Sequence, residues 1–288
     1  MADKKFILTA EGLGVSDASD RAILEGCQEG FAKSVCIVAN GNDFDNAINN
    51  ILPNLQNLGV STGLCLNIID GKPLCGDITS LIDKNGNFNN SFMNLIIKAY
   101  NPKEKDFWND IEREFRRQIE KTLSKTKITH LSSANNIHSI PKIFELTCRL
   151  AKEYQIPYIR TYFEKPYFMP DIGKHFRFNY IINFLKSIFF GMLTIFNEST
   201  AHNYELKTND YFIGIAFERK TTPLSLVYGA GAIKYKNVII EASICPNRYS
   251  DGQVDDNFTE FLLMKNKKLK EKIENLGYEI TNYAEKEN

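Results

Sequence analysis

The sequence contains few of the residues that build metal centres and disulfide frameworks. Its 288 residues include only four His, and its six cysteines are scattered along the chain. No two of them have CxxC spacing, so in a chain of this length they indicate neither a disulfide framework nor a zinc ribbon. We expect the thiols to be reduced. The six are Cys27, Cys36, Cys65, Cys75, Cys148 and Cys245.

An excess of charge of either sign is also absent. Lys and Arg together number 35, and Asp and Glu also number 35. A chain without net charge has no global field that would attract it to nucleic acid or to an anionic membrane surface. The balance therefore favours neutral ligands, and we expect neither nucleic-acid nor membrane partners.

Long uninterrupted apolar runs are missing as well. The amino terminus continues only into Phe6–Leu8, which is too short for the apolar region of a signal peptide. The most apolar stretch, Tyr180–Phe196, is interrupted by Asn183, Lys186 and Ser187, whereas a bilayer span needs about twenty mostly apolar residues. We therefore expect a cytoplasmic protein in which this stretch forms a buried or dimer-facing helix.

The chain has enough apolar residues, at 43%, to bury a large core, and it lacks a linker or repeat, so we expect a single domain over residues 1–288. Short apolar runs alternate with longer segments of helical periodicity, which is typical of repeated βα units. The runs are too uniformly apolar for half-exposed strands, which favours a parallel sheet covered by helices. We predict an α/β fold, an irregular (β/α) barrel of the TIM type, with an open doubly wound sheet as the alternative.

The predicted strands are Lys5–Thr9, Ser34–Val38, Val60–Leu66, Ile128–Leu131, Tyr158–Arg160, Tyr211–Ile215 and Val238–Ile244, with a last strand near Leu276–Ile280. The predicted helices are Ala18–Gly30, Phe44–Asn57, Asp106–Lys125, Ile140–Tyr154, Phe178–Phe196 and Asn257–Leu276. Gly229 and Gly231 predict a turn, because the full spacing of a dinucleotide-binding loop is missing. The irregular segment Gly71–Phe88 is long enough to be a binding lid.

Blocks of residues in a fixed order resemble the YdjC-like (ChbG/HpnK group) carbohydrate deacetylases. Thr9–Gly14 reads TAEGLG where family members read NADDFG, and Leu58–Asn67 reads LGVSTGLCLN where they read lGvGlHlnL. Thr129–Pro141 reads THLSSANNIHSIP where they read THIDSHQHVHxLP, and Glu114 and Gln118 match an ExxxQ signature. Further matches lie at Ile156–Arg160, Thr208–Gly214 and Ile240–Pro246, so the resemblance covers essentially the whole chain.

The resemblance implies a barrel enzyme that removes N-acetyl groups from sugars, works with a divalent metal such as Mg²⁺ and forms a homodimer. In such a member an Asp and two His hold the metal, which activates water, while a carboxylate acts as base and a His as acid. This sequence departs from the pattern at all three ligand positions, which are Gly12, Cys65 and Ala134. Hard cations need several oxygen ligands, so we predict no cofactor and a degenerate metal site.

Other positions retain a catalytic or binding residue type. Glu11 stands at the position of the general base and is one methylene longer than the Asp found there in family members. Cys245 stands at the position of the His that acts as general acid. An unperturbed thiol titrates near pH 8.5, which makes it a poor replacement for an imidazolium. The candidates for substrate binding are His138, Arg160, Asp210 and Glu241. Without the metal, a structural ion pair is the favoured interpretation of Arg160 and Glu241, and Asp210 is equally consistent with a cap.

Three hypotheses for function follow from these substitutions. The first is a homologue that has lost metal-dependent hydrolysis but keeps a cleft for an N-acetylated or other small carbohydrate. The second is a hydrolase of the amide bond of an acetylated sugar with a site rebuilt from Cys65, Cys245, His138 and Glu11, either with Cys65 as nucleophile or with Zn²⁺ on soft ligands. The third is a non-catalytic interaction or dimer partner.

Overall fold

The computed structural model describes residues 4–170, 178–218, 221–246 and 256–284. Within these ranges all strand pairings are parallel, and the strands form one curled sheet with the order β5-β4-β3-β2-β1-β7-β6. The short β8 pairs with the amino-terminal part of β1. The strands are β1 Lys4–Leu13, β2 Ser34–Ile37, β3 Ser61–Leu66, β4 His130–Ser133, β5 Tyr158–Ile159, β6 Tyr211–Ile213, β7 Val238–Ile244 and β8 Glu279–Ile280.

Helices follow most of the strands and cover the outside of the sheet. They are α1 Asp17–Glu29, α2 Phe44–Asn46, α3 Leu52–Asn57, α4 Phe92–Tyr100, α5 Lys105–Leu123, α6 Pro141–Glu153, α7 Phe178–Asn203, α8 Pro223–Ala232, α9 Asp256–Met264 and α10 Lys267–Asn275. A π-helical turn, Ala47–Ile51, joins α2 to α3, and a 3₁₀ helix, Ala134–Ser139, follows β4.

The two edges of the sheet are brought together by hydrogen bonds between the chain around β5 and the chain that leads into β6. The Ile159 amide donates to the Lys207 carbonyl at 3.0 Å, and the Phe212 amide donates to the Phe163 carbonyl at 2.9 Å. Between these bonds, the Asn209 side chain accepts from the Thr161 amide at 2.9 Å and donates to the Thr161 carbonyl at 3.0 Å. The sheet therefore curls into an irregular (β/α) barrel, as predicted.

The predicted elements agree with the structure in order and type, with three differences. Two helices, α4 and α8, were not predicted, and the carboxyl-terminal helix is divided into α9 and α10 at the cap residue Asn266. The turn predicted at Gly229 and Gly231 is wrong, because both residues lie in α8. A side chain at 229 would meet Ile213 at 3.1 Å and Tyr167 at 3.2 Å, so this glycine permits a close approach between α8 and the sheet.

One helical segment, Ile181–Asn203 of α7, is long and apolar enough to cross a membrane by length and composition alone. Only 28% of its most apolar window is buried within the protein. The helix was predicted to be buried or dimer-facing, and in the structure most of this window is exposed.

Candidate functional site

A cleft of about 690 Å³ lies at the carboxyl ends of the strands. This end of a parallel barrel is where active sites form, because the loops after the strands meet there. The volume is typical of small-molecule sites. Residues from the ends of β1, β3, β4, β6 and β7 line it, among them Glu11, Gly12, Cys65, Ser133, Ala134, Asn135, Asn136, Phe212, Ser243 and Cys245.

The wall formed by β1 depends on an unusual backbone at Gly12. The pairing of β1 with β2 shifts between Glu11 and Leu13, so Gly12 is the extra residue of a bulge, and its φ of 95° is in the region that favours glycine. Ser19 of α1 donates to the Gly12 carbonyl at 3.2 Å. An Asp in this backbone conformation would be strained.

The three positions that the resemblance matches to metal ligands all lie in the cleft lining. Gly12, Cys65 and Ala134 all line it, and Ala134 packs against the small cluster that contains Cys65 and Cys36. Their side chains do not fit a divalent cation, because glycine and alanine offer no donor. Among the residues that the structure describes, no group of three or more His, Cys, Asp or Glu is placed to hold a metal ion.

Arg160 lies inside the barrel, 3% exposed, and joins two carboxylates. Its Nε donates to Glu241 Oε2 at 2.7 Å, its Nη2 donates to Glu241 Oε1 at 2.5 Å, and its Nη1 donates to Glu11. Burial acts to raise the pKa of Glu241, but the charge and hydrogen bonds of Arg160 outweigh it and lower the pKa. Glu241 also accepts from Thr9 at 2.5 Å and from Tyr283 at 2.7 Å, so this carboxylate is fully engaged within the core.

The substrate-binding candidates are thus divided between the cleft and other places. Arg160 lines the cleft, whereas Glu241 lies in the barrel interior beneath it. Asp210 lies immediately before β6, at the opposite end of the strand from the cleft, where it accepts from the Ile239 amide at 2.7 Å. The geometry of Asp210 is therefore that of a residue that ties β6 to β7.

The structure does not bring His138 into the cleft lining. Its ring is fully buried, and its Nε2 lies 2.8 Å from the Arg160 carbonyl, which can only accept, so this nitrogen carries the proton. The Ser133 hydroxyl, 2.6 Å away, then donates to Nδ1. Burial lowers the pKa of His138 to about 4, so the ring is neutral and both nitrogens are occupied. His138 therefore positions the chain after β4 and leaves no nitrogen for a metal.

Sequence reasoning missed several residues of the cleft. Asn135 and Asn136, at φ of 50° and 59°, are two consecutive residues in the left-handed region, and both line the cleft. Asparagine tolerates this region better than most residues, so the Asn-Asn pair after a strand was a readable signal. Glu218 and Glu260 add carboxylates to the lining, and Phe212 supplies an aromatic wall.

The irregular segment Gly71–Phe88 does not contribute to the cleft lining. Glu114 accepts from the amides of Leu74 and Cys75 at 3.0 Å, and Asp110 accepts from those of Thr79 and Ser80. These charge-assisted hydrogen bonds fix the segment to α5. The Glu of the ExxxQ pattern, Glu114, therefore has a structural role in this chain.

The curled parallel sheet and the cleft at the carboxyl ends of its strands define a (β/α)-barrel protein whose site has the position of an enzyme active site. A family model for YdjC-like proteins matches residues 5–274. The chain therefore belongs to the YdjC-like family, which confirms the resemblance found in the sequence.

Curated relatives and solved structures agree with this membership. Proteins named carbohydrate deacetylase from Clostridium beijerinckii and Brevibacillus brevis are 34% and 31% identical over 154 residues, which is 53% of this chain and 58% of each relative. The alignments thus span about half of the chain. A solved structure from Enterococcus faecalis V583, named for cellobiose-phosphate cleavage, matches with a TM-score of 0.72 at 17% identity and covers 97% of both chains. At that identity the likeness shows the fold alone.

We predict that Cys65 is chemically inert in the native protein. Its side chain is buried on β3, and burial together with the nearby negative charge of Glu11 raises the pKa of its thiol well above the ordinary value. Only the thiolate attacks an electrophile. Iodoacetamide should therefore label Cys65 at least about 100-fold more slowly than free cysteine, as measured by peptide mass spectrometry over time.

Labelling in denaturant serves as the control, because all six cysteines should then react at similar rates. Native labelling of Cys65 at the rate of free cysteine or faster would contradict this prediction and would restore Cys65 as a candidate nucleophile.

Proposed function

We propose that this chain is a carbohydrate-binding member of the YdjC-like family that no longer carries out metal-dependent deacetylation. The observation that carries the proposal is the composition of the cleft lining. Gly12, Cys65 and Ala134, which the resemblance matches to metal ligands, all line the cleft, and none of them supplies an oxygen or imidazole ligand.

The state of Glu11 supports the same conclusion. A general base must be free to take a proton from water within hydrogen-bonding reach. Here the Glu11 carboxylate is paired with the buried Arg160, in a cluster that also holds Glu241. With no metal to activate a bound water, amide hydrolysis would lack its nucleophile.

The remaining lining suits a polyhydroxylated neutral ligand. Hydroxyl and amide side chains of Ser133, Asn135, Asn136 and Ser243 offer both donors and acceptors, and Phe212 offers an apolar wall. The relatives named carbohydrate deacetylase support a carbohydrate as the ligand class. The zinc and thiol alternatives receive less support, since His138 has both ring nitrogens bonded and Cys65 is buried.

The test combines an activity measurement with a binding measurement on the pure full-length chain. Incubation with N-acetylglucosamine oligomers and Mg²⁺ or Zn²⁺ should release no acetate above the protein-free blank, and metal analysis should find no stoichiometric zinc. Calorimetric titration with the same oligomers should detect binding. Ala134→Phe, which introduces a large side chain into the cleft lining, should abolish that binding. Asn85→Ala, on an exposed turn outside the cleft lining, should not change it.

The outcomes separate the two parts of the proposal. Metal-dependent acetate release would overturn the loss of hydrolysis. Equal affinity of Ala134→Phe and the unmodified chain, or no binding of any oligomer, would overturn the carbohydrate cleft. A single domain, a cytoplasmic location and the homodimer implied by the resemblance remain predictions from the sequence.

A further inference from the structure

One side of the cleft is formed by the end of β6 and the chain that follows it. We call this side the β6 wall and define it by the residues of the cleft lining that lie there: Phe212, Gly214, Ile215, Glu218 and Thr221. The pairing of β6 with β7 ends at Ile213, so the amides beyond this residue lie outside the ladder of the sheet. Where such amides are buried, they need another acceptor.

A buried carboxylate, that of Glu164, is this acceptor. Its Oε1 accepts from the Gly214 amide at 3.2 Å, and its Oε2 accepts from the amides of Ile215 and Ala216 at 3.0 and 2.8 Å. Successive amides that point at one anion form a backbone nest, which is a common arrangement for holding carboxylates and phosphates. Glu164 is 4% exposed and does not line the cleft, so it holds the β6 wall from behind.

The two residues before Glu164 hold the beginning of the same wall. The Phe163 carbonyl accepts from the Phe212 amide at 2.9 Å, and the Tyr162 ring meets the Phe212 ring edge-on, with 5.0 Å between the ring centroids. Residues 162–164 therefore follow the wall residue by residue, although residues 160–169 belong to no helix or strand. The segment is a scaffold for the β6 wall, and Glu164 is its charged member.

A carboxylate is the side chain that suits three converging amides. It has acceptors on both oxygens and no donor, whereas the side chain of glutamine has one oxygen and a donating NH₂ group. Gln at position 164 would have the size of Glu but would direct an N–H group at a backbone N–H group. A buried amide without its acceptor costs more than the bond contributed when it was made. The two oxygens and their charge, rather than the volume of the side chain, therefore hold the wall.

The ionised form of Glu164 is stabilised mainly by these amides. Burial raises the pKa of Glu164 to about 7, and the three amides and the Tyr167 hydroxyl oppose this effect without outweighing it. The carboxyl is therefore mostly ionised at about pH 8. Other charged groups of the neighbouring chain have partners of their own: Lys165 lies over the Tyr235 ring at 5.4 Å, and Glu218 pairs with Lys186 at 3.0 Å.

We propose that Glu164 is a positioning residue for the cleft: without contacting a ligand, its carboxylate holds the β6 wall in the shape that the ligand meets. The effect on ligand affinity rests on the proposed carbohydrate cleft, whereas the effect on the wall does not. Loss of the carboxylate should free the amides of residues 214–216. Binding would then also have to order the wall, which lowers the affinity.

Hydrogen–deuterium exchange of the pure full-length chain at about pH 8 measures the order of the wall and needs no ligand. In the unmodified chain the amides of residues 214–216 should be protected, although they lie outside the helices and strands. In Glu164→Ala and Glu164→Gln they should exchange at least about 10-fold faster, with unchanged exchange in β1, β2 and β3. Glu271→Ala, at an exposed position on α10, should match the unmodified chain.

Acetate distinguishes bonding by a carboxylate from the filling of space. Glu164→Ala lacks the CH₂ and carboxylate groups beyond Cβ, and acetate supplies the same atoms. At about 100 mM, acetate should restore at least about half of the lost protection in this variant, because the freed nest binds a small anion. It should not restore protection in Glu164→Gln, whose side chain fills the place. Acetamide, which has the size of acetate without its charge, should restore less in Glu164→Ala.

A binding measurement extends the test to the cleft. The affinity for N-acetylglucosamine oligomers, measured by calorimetry at about pH 8, should fall by about 10-fold in Glu164→Ala and recover with acetate. The Glu271→Ala control should bind as the unmodified chain does. Unchanged affinity in a variant whose wall has lost its protection would overturn the link between Glu164 and the ligand.

The remaining outcomes separate this proposal from the carbohydrate cleft. Unprotected amides at residues 214–216 of the unmodified chain would overturn the role of Glu164 without recourse to any variant. Equal exchange in the unmodified chain and Glu164→Gln, or equal rescue of Glu164→Ala by acetamide and acetate, would overturn it as well. If no oligomer binds the unmodified chain, the carbohydrate cleft fails, and the exchange measurements still decide whether Glu164 holds the wall.

Discussion

Replacing Arg160 by Met should destabilise the protein by about 3–5 kcal/mol, because the substitution leaves the fully buried Glu241 and its neighbour Glu11 without their cation. Met keeps the length of the side chain but removes the fork that bonds both oxygens of Glu241. Urea unfolding at pH 7, followed by circular dichroism, measures the loss. The double variant Arg160→Met/Glu241→Gln should recover part of it, since the second change removes the buried charge.

The pH dependence of the loss identifies its electrostatic origin. In the unmodified protein the pKa of Glu241 is lowered, so its contribution to stability is present above the pKa of the unfolded state and is lost as the pH falls through the folded value. Without Arg160, burial is the largest influence that remains on Glu241, and we expect it to outweigh the hydrogen bond from Thr9 and to raise the pKa above the unfolded value. The stability deficit of Arg160→Met relative to the parent should then narrow as the pH falls from 7 toward about 4.5, a range over which the contribution of Glu241 in the parent is constant.

Arg149→Met is the matched control. Arg149 pairs with Glu112 on the protein surface, and exposed pairs contribute at most about 1 kcal/mol. A loss of stability in Arg160→Met no larger than that in Arg149→Met, or a pH trend equal to that of the parent, would contradict the prediction. The pairing of Arg160 with Glu241 and Glu11 would then contribute little to the stability of the barrel.

The order and type of most elements were readable from the sequence because they depend on local patterns. Uniformly apolar runs such as Ser34–Ile37 and Val238–Ile244 indicate strands covered on both faces, and they lie in the sheet as expected. Helix α8 escaped prediction because it is apolar nearly all round and contains two glycines, which weakens any helical periodicity. Its packing against the sheet, rather than its propensity, holds it in place.

The candidate site was predictable in position but not in its bonding. The family resemblance matched Gly12, Cys65 and Ala134 to ligand positions at strand ends, and all three line the cleft. The ion pair of Arg160 with Glu241 was among the interpretations of the sequence, but the second bond of Arg160, to Glu11, joins residues far apart in the chain that no local pattern connects. The bulge conformation of Gly12 was likewise hidden, because a glycine is compatible with either sign of φ.

Replacing Gly63 by Ala should destabilise the protein by about 3 kcal/mol, near the upper range for overpacking a core. A Cβ at this position of β3 would lie 2.3 Å from the ring of His130, which is fully buried. The ring has little room to move, since it stacks on Tyr283 at 4.2 Å and lies 3.2 Å from Cys36 Sγ. Thermal unfolding at pH 7, where the lowered pKa keeps His130 neutral, measures the effect.

Gly76→Ala provides the matched control for Gly63→Ala, because nothing lies within 4 Å of a Cβ built there and its φ is not in the positive region. Its stability should stay within about 0.5 kcal/mol of the parent or increase slightly, since alanine has fewer unfolded conformations. His130→Ala should create a cavity that accepts the new methyl group, so the double variant Gly63→Ala/His130→Ala should lose less stability than the two single losses combined. Strict additivity in this cycle would contradict a steric origin and would mean that Gly63 is needed for its backbone alone.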